Sequence, residues 1–252
     1  MNHIINAVSP KQISMIRQIN FLLLFVFFST VIYAQDKPKI WQANREFHYQ
    51  ALYIDTNGDT ISNETIVMVP SGKPNPLQKN KQSLAEYHFQ YSATDSAKLA
   101  GHPIHANDFT KKYNTIIWRR QMQEGIIENE DEMWMHPFRT NQYVLTEIAP
   151  FPAVRFPLTE GLSWKSLFFI AKGWGTFRGR ATQKYTIKGK TTRQVGIGEL
   201  AGCQLIEAVS KHKKLGESHA WFYFHPDYGF VEMVYQFYNG QQIIFSLQEI
   251  IN

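Results

Sequence analysis

Trp134-Met-His-Pro-Phe-Arg139, followed by Glu147, gathers side-chain types able to recognise an anionic or sugar-like ligand. Arginine offers a forked donor that matches carboxylates and phosphates, and histidine titrates near neutrality. A strand end bent at His136-Pro137 could bring Trp134, His136, Arg139 and Glu147 to one cleft. The competing reading is internal: Arg139 and Glu147 pair across a loop, and His136 caps the bend. No nucleophile and no second carboxylate at a diagnostic spacing accompanies them.

A second group lies in His219–His225. Strand alternation puts His219, Trp221, Tyr223 and His225 on one face, and Ala220, Phe222 and Phe224 on the other. Trp221, Tyr223 and His225 would make a polar-aromatic wall toward a ligand, or a packed stripe whose histidines end at solvent. Residues six apart on a strand are roughly 20 Å apart, so the two histidines cannot share a metal. His102-Pro-Ile-His105 has a metal-like spacing, but the proline prevents one helical turn from carrying both ligands. Glu128, Glu130, Asp131 and Glu132 read as a solvated turn. There is no Gly-x-Ser-x-Gly elbow. Gly196-Ile-Gly198 lacks the later glycine and following helix of a dinucleotide site. Cys203, the only cysteine, sits in an apolar strand and reads as a small buried hydrophobe. The residues therefore predict no catalytic group, no metal and no cofactor.

The elements that must position these groups begin with an export leader. Arg17 precedes Phe21-Leu-Leu-Leu-Phe-Val-Phe-Phe28, and Val31-Ile-Tyr-Ala34 closes the run. A basic flank, a short apolar core and a terminal alanine describe a signal peptide cleaved after Ala34. Met15 could serve as its start. The run is shorter than the roughly 20 residues of a spanning helix, so no transmembrane anchor is expected. Residues 1–34 thus read as leader and 35–252 as one exported β-rich domain, periplasmic or extracellular. The whole chain carries 26 Lys+Arg against 21 Asp+Glu. The leader takes only Lys11 and Arg17 with it, leaving a mild excess of three positive charges. Without a basic stripe interleaved with aromatics, nucleic acid is not an expected partner.

Aromatic residues make up 14% of the chain, and turn residues recur between short runs, as in antiparallel sheet. Phe47–Thr56 and Asp59–Val69 flank Asn57-Gly58, a hairpin signal of the type I′ kind. Pro70 to Pro76 reads as a break, and Thr94–Gly101 as a short helix. Strand-like runs follow at Tyr113–Gln121 and from Glu132 through Ile148. From Lys184 the pattern is a meander: Lys184–Lys188, Arg193–Gly198, Gly202–Ser210, His219–His225, Phe230–Tyr238 and Gln241–Ile250.

A two-residue turn at Asn239-Gly240 would set Val234 opposite Phe245 and Tyr235 opposite Ile244. Both faces of that hairpin are then apolar, whereas a sheet wet on one side alternates apolar with polar. The sheet is expected either to be covered on both sides or to curve around a lined cavity.

Phe156-Pro-Leu-Thr-Glu-Gly-Leu-Ser-Trp164, Gly198–Val209 and Trp221-Phe-Tyr-Phe-His-Pro-Asp-Tyr-Gly-Phe230 resemble a class of uncharacterised exported β proteins of Gram-negative bacteria. The resemblance covers residues 150–250, and its motifs are structural punctuation. Its looser similarity to periplasmic lipoprotein carriers implies a half-barrel around an apolar groove. The expectation is a mainly β fold: one strongly curved antiparallel sheet or half-barrel meander with one or two short helices. The leading functional expectation is a non-catalytic exported protein holding a lipid-like or amphipathic small molecule in the concave face. Two alternatives stand beside it. One is a carbohydrate-active enzyme or carbohydrate-binding module using His136, Arg139, Glu147 and exposed tryptophans. The other is an envelope scaffold without a small ligand. Oligomeric state is not readable.

Overall fold

In the first strand, β1 (Glu46–Ile54), Phe47, Tyr49, Ala51 and Tyr53 are buried and the residues between them are not. That period of two lets one face of an extended chain enter a core. The structure is a computed structural model that describes residues 39–78, 81–101 and 119–252. The leader residues and the His102-Pro-Ile-His105 segment lie outside that set, as does most of the Tyr113–Gln121 run.

Among the described residues, eleven further strands follow β1. They are β2 (Thr60–Pro74), β3 (Ser83–Gln90), β4 (Gln121–Glu128), β5 (Glu132–Met135) and β6 (Ala153–Arg155). After these come β7 (Ser163–Ile170), β8 (Gly179–Val195), β9 (Gly198–His212), β10 (Gly216–His225), β11 (Gly229–Gln236) and β12 (Gln242–Ile251). All pair antiparallel in one sheet of order β6-β5-β4-β3-β2-β1-β12-β11-β10-β9-β8-β7. Among the described residues, one short helix, α1 (Ala93–Gly101), and two 3-10 segments interrupt the meander. The chain is mainly β, as the residue pattern predicts.

The sheet rolls up without closing. Phe151 lies 5.9 Å, ring to ring, from Trp134 of β5 and 4.7 Å from Phe168 of β7. Those strands are ten positions apart in the sheet order, about 48 Å if it were flat. The guanidinium of Arg155 on β6 also stands 5.7 Å from the Trp164 ring of β7. The two margins meet through side chains rather than through a hydrogen-bonded ladder.

A rolled sheet of this width encloses more space than its own side chains fill. Residues 136–151 fill it. Phe138 packs on Tyr49, Tyr87 and Phe245, with ring centroids 4.8 to 5.3 Å away, and Tyr143 lies 5.5 Å from Phe245. Irregular backbone in a core needs partners for its carbonyls, and both halves of the sheet supply them. Tyr87 donates to His136 O, Ser210 to Ile148 O, Gln183 to Ala149 O and Tyr185 to Phe151 O.

Four local expectations need correcting. The segment after His136-Pro137 does not resume as strand: Asn141–Ile148 is a 3-10 turn inside the roll. Pro70 does not end its strand. β2 runs on to Pro74 through a bulge, pairing Pro70 with Ala85 and Pro74 with Ser83. The ladder to β1 ends at Phe47↔Met68, so the proline's missing N–H leaves no partner unserved there. Lys184–Lys188 and Arg193–Val195 belong to one strand, β8, bent by two bulges; Gly196-Ile197 is the turn out of it, and Gly198 opens β9.

The fourth correction is register. Val234 faces Ile244 and Met233 faces Phe245, one residue from the expected pairing. Phe237 N donates to Gln241 O, so the loop has three residues, and Gly240 alone takes positive φ (84°). Asn57-Gly58 behaves the same way: Asp55 pairs with Asp59, and Gly58 has φ of 92°. A type I′ turn would need positive φ at the asparagine too, and neither asparagine has it. The shift sends Met233, Tyr235, Phe237, Ile243 and Phe245 into the core and leaves Val234 and Ile244 half-buried outside.

Candidate functional site: a buried charge cluster and an outer aromatic face

Arg139 enters the roll on the filling segment, just beyond the Pro137 bend. Its Nε and Nη2 donate to the two oxygens of Glu124, both at 2.8 Å, and its Nη1 donates to Glu147 at 2.7 Å. Strand β4 aims Glu124 inward: its register partner is Ala85, and Tyr87 lies one pair further along the same buried face. The 3-10 turn carries Glu147 round to the other side of the guanidinium. Side-chain exposure is 15% for Arg139, 4% for Glu124 and 2% for Glu147, so the triad is internal. The Trp174 ring lies 5.4 Å from the guanidinium carbon.

Burial sets the protonation here. It disfavours the Arg139 cation, but Glu147 and Glu124 more than offset that, and the guanidinium pKa is raised. Burial pushes Glu147 up to about 7, with Arg139 pulling the other way. His136 is pushed down to about 3, by burial first and by the Arg139 charge second. Its Nδ1 lies 3.3 Å from both Gly125 O and Glu124 Oε2. Because the ring is neutral at ordinary pH, the Glu124 contact is a polar contact and not an ion pair. Trp134 meets the His136 ring edge-on at 4.6 Å.

The structure therefore brings together Trp134, His136, Arg139 and Glu147, which the sequence singled out. It places Trp221, Tyr223 and His225 elsewhere, on the outer face of β10, each half-buried. Arg193 covers the Tyr223 ring at 4.0 Å and pairs with Glu232, the cross-strand neighbour of Tyr223. His225 stacks on Tyr228 at 4.9 Å. Trp221 opens a cross-strand row on that face: Trp221 faces Val234, Val234 faces Ile244, and Ile244 faces Leu52, all half-buried.

Sequence reasoning missed Glu124 and a second buried carboxylate, Glu64, which accepts from Gln142 and from Tyr143 (2.8 Å). Burial raises Glu64 to about 7, with Asp95 adding to the rise. The signal was present in both cases. Glu124 shares its parity with Met122 and Ile126, and Glu64 with Ile66 and Met68. A carboxylate on the apolar parity of a strand must find a partner inside.

Chemically, the triad spends its donors and acceptors on one another, which suits it to anchoring the filling segment. A recess of about 290 Å³ lies at the ends of β2, β3 and β4, lined by Lys81, Gln82, Ser83, Ile126 and Glu128 among others. Glu128 already accepts there from the Ile40 and Trp41 N–H groups. Among the described residues, no three His, Cys, Asp or Glu side chains gather as a metal site would require, and no helix is long and apolar enough to cross a membrane.

No protein-family model matches the chain, and no curated protein does. Solved structures with a similar fold include a candidate exported protein of Bacteroides fragilis with a YmcC-like fold. It has 11% identity and a TM-score of 0.48, covering 84% of this chain and 97% of that one. A candidate lipoprotein of Parabacteroides distasonis has 10% identity and a TM-score of 0.46, covering 84% and 96%. The hypothetical lipoprotein YmcC of Escherichia coli has 10% identity and a TM-score of 0.37, covering 90% and 95%. The first is described as a candidate exported protein, and the other two as candidate or hypothetical lipoproteins.

Proposed function

We propose that this chain is an exported, non-catalytic β protein, cleaved after Ala34, that binds an amphipathic partner molecule on the outer face of its sheet. One observation carries the reading: the unbroken apolar row Trp221–Val234–Ile244–Leu52 on that face, each residue directly opposite the next. Residues 136–151 occupy the side where a ligand in the concavity would sit, so the reading moves outward. Cross-strand apolar neighbours on a wet face offer a ready surface for an acyl chain or an apolar side chain.

Native mass spectrometry of the chain recovered after export tests this. A retained mass that extracts into organic solvent is expected, lost in the Val234→Ser/Ile244→Ser variant while the melting temperature holds. A ligand-free mass under gentle conditions, or retention unchanged in the variant, would sink it. The same spectrum reports whether residues 1–34 are absent.

A further inference from the structure

Leu167 and Phe169 are 71% and 63% exposed, on the outer face of the margin strand β7. Large apolar side chains are seldom that bare in neighbouring same-face positions. Their surroundings are basic. Register puts Lys165 beside Lys184, Phe169 beside Arg180, and Leu167 beside Thr182, which faces Lys211. The Lys213 N–H donates to Arg180 O, bringing the β9–β10 turn to the same corner. Two nearby carboxylates, Glu207 of β9 and Glu217 at the start of β10, are held by Lys188 (3.2 Å) and Lys211 (2.6 Å). Lys165, Arg180, Lys184 and Lys213 have no ion-pair partner among the described residues, and all four are exposed.

We propose that this corner docks the protein on an anionic phospholipid surface, with Leu167 and Phe169 entering the interfacial layer and Lys165, Arg180, Lys184 and Lys213 over the headgroups. Apolar tips ringed by cations are the arrangement such surfaces bind. Charge selects the occupant: a second copy meeting face to face would oppose Lys165, Lys184 and Arg180 to their own kind. The inference needs export but not the Trp221 row, which lies further round the sheet.

Flotation of the chain recovered after export tests it. The vesicles are phosphatidylglycerol with phosphatidylethanolamine, against phosphatidylcholine alone. The wild type floats with the anionic vesicles at low salt and is released as salt rises, because screening shortens to about 8 Å near 0.15 M. Each lysine near such a surface contributes about fivefold in partitioning, so Lys165→Glu/Lys184→Glu weakens flotation by tenfold or more. Leu167→Ser/Phe169→Ser also abolishes it. Both variants keep the wild-type melting temperature, since the replaced side chains are exposed. Val234→Ser/Ile244→Ser floats normally, which separates this corner from the apolar row. No flotation of the wild type, or equal flotation on neutral vesicles with both corner variants unaffected, overturns the proposal. So does concentration-dependent self-association that Leu167→Ser/Phe169→Ser removes, which would give the corner to a second copy.

Discussion

At Arg139 the cost of a single truncation can be reasoned from its partners. Alanine there leaves Glu124 and Glu147 buried without their counter-charge. Breaking a buried ion pair from one side costs about 3–5 kcal/mol. For a domain of this size that is roughly a 10 °C fall in melting temperature. Circular dichroism melts of Arg139→Ala should show it. If the variant melts like the wild type yet loses a sugar or anion ligand, the group is a binding site after all. Arg139→Met combined with Glu124→Gln and Glu147→Gln should recover much of the loss, because no charge is then stranded. His136 adds a pH dependence with a definite sign. Its folded pKa lies near 3, below the ordinary 6.5. On acidification from 6.5 toward 3, the unfolded chain takes a proton that the folded chain refuses, so stability falls across that window. Glu147 acts oppositely between about 4.5 and 7, since its folded form holds the proton longer. His136→Asn isolates the histidine effect. Between pH 6.5 and 3 the wild type should lose more melting temperature than this variant, and parallel curves would refute the assignment.

Among the elements, the β8–β9 hairpin shows what one glycine permits. Gly196 N donates to Leu247 O at 2.9 Å, tying the hairpin tip to β12 across the roll. A Cβ there would sit 2.4 Å from the Gln248 Cα, which is backbone and cannot turn aside. Gly196→Ala should break that contact and cost about 1–3 kcal/mol, visible as a lower urea midpoint. An unchanged midpoint would mean the tip is free to move off β12. In sequence this glycine looked like a fragment of a nucleotide motif, because the approach of β12 is a long-range fact. What was legible was local. Alternation put Ala220, Phe222 and Phe224 on one face of β10, and that face is the buried one. Both Asn-Gly hairpins were found at their true positions. Their loop length was not readable, since Gly58 and Gly240 satisfy either turn type and the ladder beyond decides between them. Residues 136–151 carried enough Tyr, Val, Leu and Ile to look like strand. They become irregular chain around a 3-10 turn at Asn141–Ile148, because the space inside the roll, which no local pattern encodes, is what they fill. For the same reason the parity of Glu124 with Met122 and Ile126 told that it needs an inward partner, but not that the partner is Arg139.

At the scale of the molecule, one side chain joins the two ends of the sheet. Phe151 is 2% exposed and touches Trp134 and His136 on one side and Phe168 on the other. The margins share no backbone ladder, so that packing and the Arg155–Trp164 contact couple them. Removing the ring should act on the whole domain: Phe→Ala in a core costs about 3–5 kcal/mol. The filling segment also bonds to β3 on one side and to β8 and β9 on the other. Neither half of the sheet can therefore open while the other keeps its core. The wild type should unfold in one transition, with tryptophan fluorescence and far-ultraviolet ellipticity coinciding in urea. Phe151→Ala should move that single midpoint down with the two probes still superposed. If they separate in the variant, with fluorescence changing first, the margin strands β5 to β7 form a unit of their own. Phe151 then holds a seam shut instead of tying the roll into one cooperative body.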